Sequence, residues 1–194
     1  MKKYSQVTLM GFFSLLLLAS CNNETVSSYF KKNSENWTIE GDAQGEAVEP
    51  TYYAEDGMVN GYIEAKDDAA GGVWYFSAPE KYLGDKNTLY GRTLSYALFQ
   101  KPKNNNQFDS PDVVLTNGEN EIFYLVKDYP DTTWTHYEVK IDAEQEWFYG
   151  AYKDREVATE AQIKQVLSNL DKFWIRGEYR NGNDWGGLDE VIIK

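Results

Sequence analysis

Cysteine and histidine are almost absent from this chain of 194 residues, in which Cys21 and His136 are the only residues of their types. One cysteine allows no disulfide within the chain, and one histidine excludes a histidine-rich metal site. A serine hydrolase would depend on His136, and the sequence has no G-x-S-x-G nucleophile motif. Some acidic pair, such as Glu144 and Glu146, is inevitable among 31 acidic residues, and we interpret this pair as solvated. The composition therefore argues against an enzyme.

Basic residues are scarce as well, because 19 lysines and arginines stand against 31 aspartates and glutamates, giving a net charge of −12 at pH 7. Nucleic acids and anionic membrane surfaces are bound through basic patches, so both are disfavoured as partners. An acidic chain suits a cation, a neutral sugar or a basic protein.

Long apolar runs are limited to one segment, residues 7–18, which contains four consecutive leucines. This run is too short for a membrane span, which needs about 20 residues. It follows Lys2 and Lys3 and ends in two small residues before Cys21. A positive start, an apolar centre and small residues at the end are typical of a cleaved secretory signal peptide.

The last four residues of this segment, Leu-Ala-Ser-Cys at 18–21, resemble the bacterial lipobox, in which the cysteine is lipidated and becomes the mature N-terminus. Two or three acyl chains on one residue would hold the protein at a membrane stably. Asparagine rather than aspartate follows the cysteine, which resembles lipoproteins of an outer membrane. We therefore predict a location in the cell envelope, outside the cytoplasm. The predicted parts are a signal peptide (1–20), a lipidated polar tether (21–35, attached through Cys21) and one domain (36–194).

Removing the signal peptide leaves 174 residues, and the loss of Lys2 and Lys3 changes the net charge from −12 to −14. That length is sufficient for one domain with its own core. The chain is rich in aromatic residues (15 Tyr, 9 Phe and 6 Trp), which favours β-structure. Short apolar or alternating runs recur between turn residues, and Asn117-Gly118 is a hairpin signal. We predict an all-β sandwich.

One segment breaks the β pattern. Thr159 and Gln162 have the spacing of a capping box, in which each side chain bonds the backbone of the other residue. Apolar residues then follow at positions 163, 166, 167 and 170, which form one face of a helix. The sequence therefore predicts one short helix near 159–170.

Five blocks of the sequence, in order, resemble the laminin B domain, also called laminin IV type A. They are residues 74–85 (WYFSAPEKYLGD), 90–96 (YGRTLSY), 111–115 (PDVVL), 167–179 (from LSNL to IRGEY) and 187–191 (GLDEV). Phe30, Trp37 and Gly41-Asp42 are similar to the opening of stand-alone bacterial versions. The resemblance implies a jelly-roll β-sandwich, similar to galactose-binding and carbohydrate-binding modules, without catalytic activity and with no agreed ligand. The cysteine-rich modules that flank this domain in animal laminins are absent, so roles in laminin assembly are not carried over.

Acidic residues at turns and strand ends suggest a structural calcium ion, since calcium is bound by six to eight oxygen atoms. Modules of the fold that the resemblance implies often hold such an ion near the edge of the sandwich. We predict Asp42, Asp67, Asp68 and Asp189 as its ligands. The first and last strands of a sandwich can be neighbours, which would bring Asp42 and Asp189 together. The alternative is that these are ordinary turn and strand-end carboxylates.

Aromatic side chains are the candidate ligand contacts, because a sugar ring packs its apolar face on an aromatic plane. Trp185 lies in a run of turn formers (Asn181 to Gly187) and is expected in an exposed loop. Tyr52-Tyr53, Tyr129 and Trp134 are the weaker candidates. Trp74, Trp147 and Trp174 are expected in the core, and Arg176 with Glu178 is interpreted as a structural ion pair or as a bridge to neighbouring strands.

We predict a lipid-anchored module that binds a glycan or an extracellular protein. A structural envelope protein or spacer without a small ligand is the alternative, and a carbohydrate-active enzyme is the least favoured. An exposed aromatic platform would separate the first possibility from the second. An enzyme would need two carboxylates about 5–5.5 Å or about 6.5–9.5 Å apart across a groove.

Overall fold

The computed structural model describes residues 25–41, 49–67, 72–101 and 106–194. Within these ranges the chain forms thirteen β-strands, one α-helix and three single turns of 3-10 helix (Glu80–Tyr82, Asn87–Leu89 and Tyr152–Asp154). The strands are β1 (Val26–Ser28), β2 (Thr38–Glu40), β3 (Thr51–Tyr53), β4 (Tyr62–Asp67), β5 (Tyr75–Ser77), β6 (Thr93–Lys101), β7 (Val113–Thr116), β8 (Glu121–Tyr124), β9 (Thr135–Lys140), β10 (Phe148–Tyr149), β11 (Glu156–Val157), β12 (Lys172–Arg176) and β13 (Asp184–Ile193). The helix is α1 (Glu160–Leu167).

These strands build two antiparallel sheets packed face to face, which confirms the predicted β-sandwich. The six-stranded sheet has the order β3-β4-β13-β6-β9, and β1 also pairs with β13. The seven-stranded sheet has the order β11-β10-β8-β7-β12-β5-β2. Most apolar side chains that point into the space between the two sheets are fully buried, and together they form one continuous core.

Strand β13 lies at the centre of the six-stranded sheet. One side of it pairs with β6, and the other side pairs first with β4 and then with β1. The change of partner coincides with a β-bulge between Asp189 and Ile192, where Glu190 takes a positive φ of 51°. The extra residue of a bulge bends and twists a strand, which allows β13 to serve two neighbours in turn.

The two sheets approach each other at glycines around the indole of Trp74. A Cβ atom on Gly177 would lie 1.8 Å from that ring, and one on Gly186 would lie 2.3 Å from the Gly177 carbonyl oxygen. Any larger residue at these positions would therefore displace Trp74 or separate the strands. Trp74 and Trp147 are buried as predicted, but Trp174 is only half-buried, because β12 directs it away from the core.

The predicted hairpin and helix are both present. β7 and β8 pair across a turn at residues 117–120, where the Asn117 side chain accepts hydrogen bonds from the backbone of Glu119 and Asn120. The capping box between Thr159 and Gln162 begins α1, which ends at Leu167 rather than at the predicted residue 170. No helix in the described ranges is long and apolar enough to cross a membrane.

The predicted boundary between tether and domain is wrong, because the sandwich begins ten residues before position 36. β1 pairs with the last residues of β13, and Phe30 is fully buried against Trp37. The Ser28 hydroxyl accepts hydrogen bonds from the Trp37 indole (2.9 Å) and from the Tyr82 hydroxyl (3.1 Å). Residues 26–35 are thus part of the folded domain, whereas the predicted signal peptide and Cys21 lie outside the described residues.

The first prediction concerns this boundary. Phe30→Ala should lower the free energy of unfolding by about 3–5 kcal/mol, because it removes a fully buried aromatic ring. Urea unfolding followed by tryptophan fluorescence measures the change. Tyr29→Ala, which truncates a partly exposed neighbouring ring, is the control and should cost less than about 1 kcal/mol. A neutral Phe30→Ala variant would restore the tether interpretation.

Candidate functional site

The outer face of the six-stranded sheet carries an unusual concentration of aromatic residues. Side chains alternate between the two faces of a strand, and Ile63 of β4 and Leu188 of β13 point toward the core. The residues next to them in each strand therefore face outward. The antiparallel register then aligns the outward positions of neighbouring strands. This face, here called the aromatic face, presents Tyr53, Tyr62, Phe99, Trp134 and Trp185.

Four of these rings form one packed cluster. Tyr53 stacks on Tyr62 with ring centroids 4.9 Å apart, and Tyr62 meets Trp134 edge to face at 5.3 Å. Phe99 packs edge to face on Trp134 at 4.7 Å. The Phe99 ring lies over Gly187, where a Cβ atom would come within 2.1 Å of it. The cluster therefore needs a glycine in the central strand and holds its rings rigidly.

A groove of about 170 Å³ lies between the two most exposed rings of this face, Tyr53 (40% exposed) and Trp185 (37% exposed). Tyr53 of β3 pairs with Tyr62 of β4, and Trp185 of β13 pairs with Lys66 of β4. These two β4 residues are four positions apart on the strand. At the rise of a β-strand this separation is about 13 Å. The lining residues are Glu49, Pro50, Thr51, Tyr53, Glu64, Ala65, Lys66 and Trp185.

Polar groups line the groove between the two rings. The Glu64 carboxylate accepts a hydrogen bond from the Tyr53 hydroxyl (3.4 Å), and the Lys66 ammonium group lies 5.5 Å from the centre of the Trp185 ring. Burial raises the pKa of Glu64, although the nearby charge of Lys101 and the Tyr53 hydrogen bond oppose the rise. Aromatic planes with acceptors and donors between them are the groups that recognise a sugar.

A loop at residues 54–61 borders the aromatic face and is fixed by Asp189. The Asp189 carboxylate accepts hydrogen bonds from the backbone N–H of Met58 (2.7 Å) and of Glu190 (2.7 Å). The Trp134 indole N–H donates to the Asp56 carbonyl oxygen (3.1 Å) at the other end of the loop. Burial raises the pKa of Asp189 to about 6. Asp189 is therefore already used to hold the loop.

The aromatic residues predicted as ligand contacts do not all lie together. Trp134 and Trp185 share the aromatic face, but Trp185 lies in strand β13 and not in the predicted loop. Tyr129 belongs to another cluster, where its hydroxyl donates to Asp109 and its ring packs on Tyr179 at 5.5 Å. Of the predicted pair at positions 52–53, Tyr53 joins Trp185 at the groove, whereas the other tyrosine packs against the core.

The predicted calcium ligands are not brought together in the described ranges. Asp67 faces the interior of the sandwich, whereas Asp189 lies on the outer face of the same sheet. Asp42 and Asp68 fall outside the described residues. Within the described parts of the chain, no three His, Cys, Asp or Glu side chains converge to hold a metal ion. Calcium binding stays a prediction.

Asp67 has a different neighbour, Asp184, directly opposite on β13. Both carboxylates are buried, and the Gln100 amide donates to one oxygen of Asp184. Burial and the adjacent Asp67 charge raise the pKa of Asp184 to about 7, against the opposing effects of Gln100 and Arg180. Among the described residues, no donor reaches one oxygen of Asp184 or the side-chain oxygen of Gln100. Sequence analysis missed this pair because the two aspartates meet only through strand register.

The remaining candidates are structural or solvent-exposed. His136 is exposed on β9, 3.8 Å from Glu138, and Glu144 is exposed beside Lys140 at 3.7 Å. Glu146 is exposed as well. Arg176 does not pair with the Glu178 side chain as one interpretation predicted. It pairs with Asp112 at 3.5 Å, and its Nε donates to the Glu178 carbonyl oxygen (2.5 Å).

Arg176 also donates to the carbonyl oxygens of Phe108 (2.7 Å) and Ser110 (3.3 Å), so its guanidinium group fixes the segment before β7. Burial raises the pKa of Asp112 to about 6, while the Arg176 charge opposes the rise. Both side chains are buried, and the pair joins the segment before β7 to the face of β12 that also carries Trp174.

Two antiparallel sheets with a grooved aromatic outer face define the class of this protein as a jelly-roll β-sandwich module. The structure is similar to the L4b domain of human laminin alpha-2, with a TM-score of 0.68 at 16% identity, covering 87% of this chain and 96% of that domain. It is also similar to a family 30 carbohydrate-binding module of a cellulosomal cellulase from Clostridium thermocellum, with a TM-score of 0.51 at 9% identity, covering 88% of this chain and 97% of that module.

The family model for Laminin B (Domain IV) matches residues 75–194, so the chain belongs to the laminin B family. It is 32% identical over 117 residues to a basement membrane proteoglycan of Caenorhabditis elegans, and this match covers 59% of the chain. It is 26% identical over 174 residues to the laminin-like protein lam-2 of the same organism, which covers 87%. The chain spans only 3% and 10% of the lengths of these two relatives.

The second prediction concerns Asp184. A carboxyl group with a pKa near 7 in the fold and near 3.8 in the unfolded chain binds more protons when folded, so its contribution to stability falls as pH rises from about 4 to 7. Asp184→Asn should therefore raise the free energy of unfolding at pH 8 by more than about 1 kcal/mol, with a clearly smaller gain at pH 5. Urea unfolding with chelator present measures both.

Repeating this measurement with calcium tests the predicted ion. Calcium held by Asp67 and Asp184 would raise the unfolding midpoint of the wild type at pH 8 and would leave the variant unchanged. Asp189→Asn is the control, because that carboxylate binds loop backbone on the opposite face. A destabilised Asp184→Asn variant at pH 8 in chelator would contradict the account of Asp184.

Proposed function

We propose that this chain is a non-catalytic saccharide-binding module, exported and anchored to a membrane through lipid on Cys21. The observation that carries the proposal is the groove between Tyr53 and Trp185, in which two exposed aromatic rings flank the polar side chains of Glu64 and Lys66. Sugars are bound through this combination of ring stacking and hydrogen bonds to hydroxyl groups.

Three further features support a saccharide. The two rings that border the groove are about 13 Å apart along β4, which suits an oligomer more than a single sugar. The ring of Tyr53 is held rigidly, because it stacks on Tyr62 in the cluster of packed aromatic rings. A rigid site loses little conformational entropy on binding. The fold is also that of carbohydrate-binding modules, although the low identity makes this support a matter of shape alone.

An extracellular protein ligand and a spacer role without a ligand are the alternatives. A spacer would not need exposed rings at both ends of a groove, and a protein interface of standard size would use a broader surface. The absence of catalysis is part of the proposal. It is supported by two buried, pKa-shifted carboxylates that do not line the groove: Asp184 is on the inward side of β13, and Asp112 is paired with Arg176.

The third prediction is that Trp185→Ala weakens binding of an oligosaccharide by about tenfold, because one ring stack contributes about 0.5–1.5 kcal/mol. Glycan arrays identify the ligand and calorimetry gives its affinity. Trp174→Ala is the matched control, since Trp174 also has a lysine over its ring but lies on the seven-stranded sheet. Equal losses in both variants, or no glycan bound, would contradict the proposed site.

The fourth prediction concerns the anchor. In a bacterial host, wild-type protein should incorporate labelled palmitate and sediment with membranes, because the cysteine would carry acyl chains. Cys21→Ser should lose the label and move to the soluble fraction. Ser20→Ala keeps the cysteine and a small residue before it, and should behave as the wild type. A Cys21→Ser protein that still sediments with membranes would contradict lipid anchoring.

A further inference from the structure

Two lysines stand on either side of Trp185 on the aromatic face. Trp185 pairs with Lys66 of β4 on one side and with Lys101 of β6 on the other. Adjacent strands are about 4.8 Å apart, so the Cα atoms of the two lysines are about 10 Å apart with the indole between them. The Lys66 ammonium group lies 5.5 Å from the Trp185 ring, and that of Lys101 lies 4.4 Å from Phe99.

Neither lysine has a carboxylate partner in the described part of the chain. Lys81, Lys140, Lys164 and Lys172 do have one within 4.0 Å. What distinguishes Lys66 and Lys101 from other lysines without an ion pair is that they flank one exposed tryptophan. The charge of Lys101 acts to lower the pKa of the nearby Glu64 carboxyl group, but that carboxylate accepts a hydrogen bond from the Tyr53 hydroxyl.

Trp174, on the seven-stranded sheet, provides an internal comparison. Lys172 lies over its ring at 4.6 Å, as Lys66 does over Trp185. Lys172, however, is paired with Glu40 at 3.4 Å. The chain thus pairs the lysine over Trp174 with a carboxylate, whereas the lysine over Trp185 has no carboxylate within 4.0 Å among the described residues.

We propose that the ligand supplies the missing anion, so that the saccharide bound at Trp185 is an acidic one. A sugar ring packs on the indole, and its carboxylate or sulfate group lies between Lys66 and Lys101. Lysine has three donor hydrogens and no acceptor, and it binds anionic oxygen more strongly than a neutral hydroxyl. This inference rests on the proposed saccharide function and narrows its substrate class, in spite of the acidic charge of the whole chain.

The test uses the full chain in detergent with three probes, which are polygalacturonate, chondroitin sulfate and a neutral mixed-linked glucan. We expect one or both acidic polymers to bind more tightly than the glucan, with affinity that falls as salt rises from 50 to 500 mM, since exposed charge pairs are screened. The two acidic probes separate a carboxylate from a sulfate as the bound group.

Lys66→Gln combined with Lys101→Gln should weaken acidic binding about tenfold at low salt and remove its salt dependence, because each exposed ion pair contributes up to about 1 kcal/mol. Lys172→Gln is the matched control and should not change binding. The thermal midpoint of each variant checks that it folds.

Two outcomes overturn the inference and leave the saccharide function standing. One is a glucan bound as tightly as the acidic polymers through Trp185, and the other is unchanged acidic binding in the double lysine variant. If no saccharide of either charge binds, or if Trp185→Ala has no effect on any probe, the proposed function itself fails and the inference with it.

Discussion

The pairing of β13 with three other strands is the constraint on which the rest of this structure depends. Its inward residues complete the core, and Gly186 allows Trp74 to fit between the sheets. Its outward residues build the aromatic face, since Gly187 accommodates Phe99 and Trp185 borders the groove. One strand therefore sets both the thickness of the sandwich and the shape of its candidate binding surface.

Much of this fold is readable from the sequence where the signal is local. The Asn117-Gly118 turn and the Thr159 capping box involve residues within a few positions of each other, and both form as expected. The order of the five sequence blocks indicates the family. The start of the domain is missed because β1 is three residues long, polar in two of them, and stabilised by the distant β13. No pattern in its own segment reveals that partner.

The candidate site is less readable for the same reason. Trp185 is recognisable as an exposed aromatic residue, but the glycines that follow it suggest a loop, whereas they serve close packing inside a strand. Tyr53 is a candidate from its aromatic character, but only the pairing of β3 with β4 places it at the groove. The juxtaposition of Asp67 with Asp184, and of Lys66 with Lys101 around Trp185, also follows from strand register. Register depends on the whole sheet and is not written in any one segment.

The topology of β13 has a consequence for how the chain reaches this structure. Residues 191–193 pair with residues 26–28, so the six-stranded sheet has contacts separated by almost the full length of the domain. Folds dominated by such contacts form slowly, because a long loop must close before its contacts contribute. Until residue 193 is available, the centre of this sheet is missing and the chain stays open. The six-stranded sheet therefore cannot be completed while the chain is still being synthesised, and its final pairing is left to the last residues made.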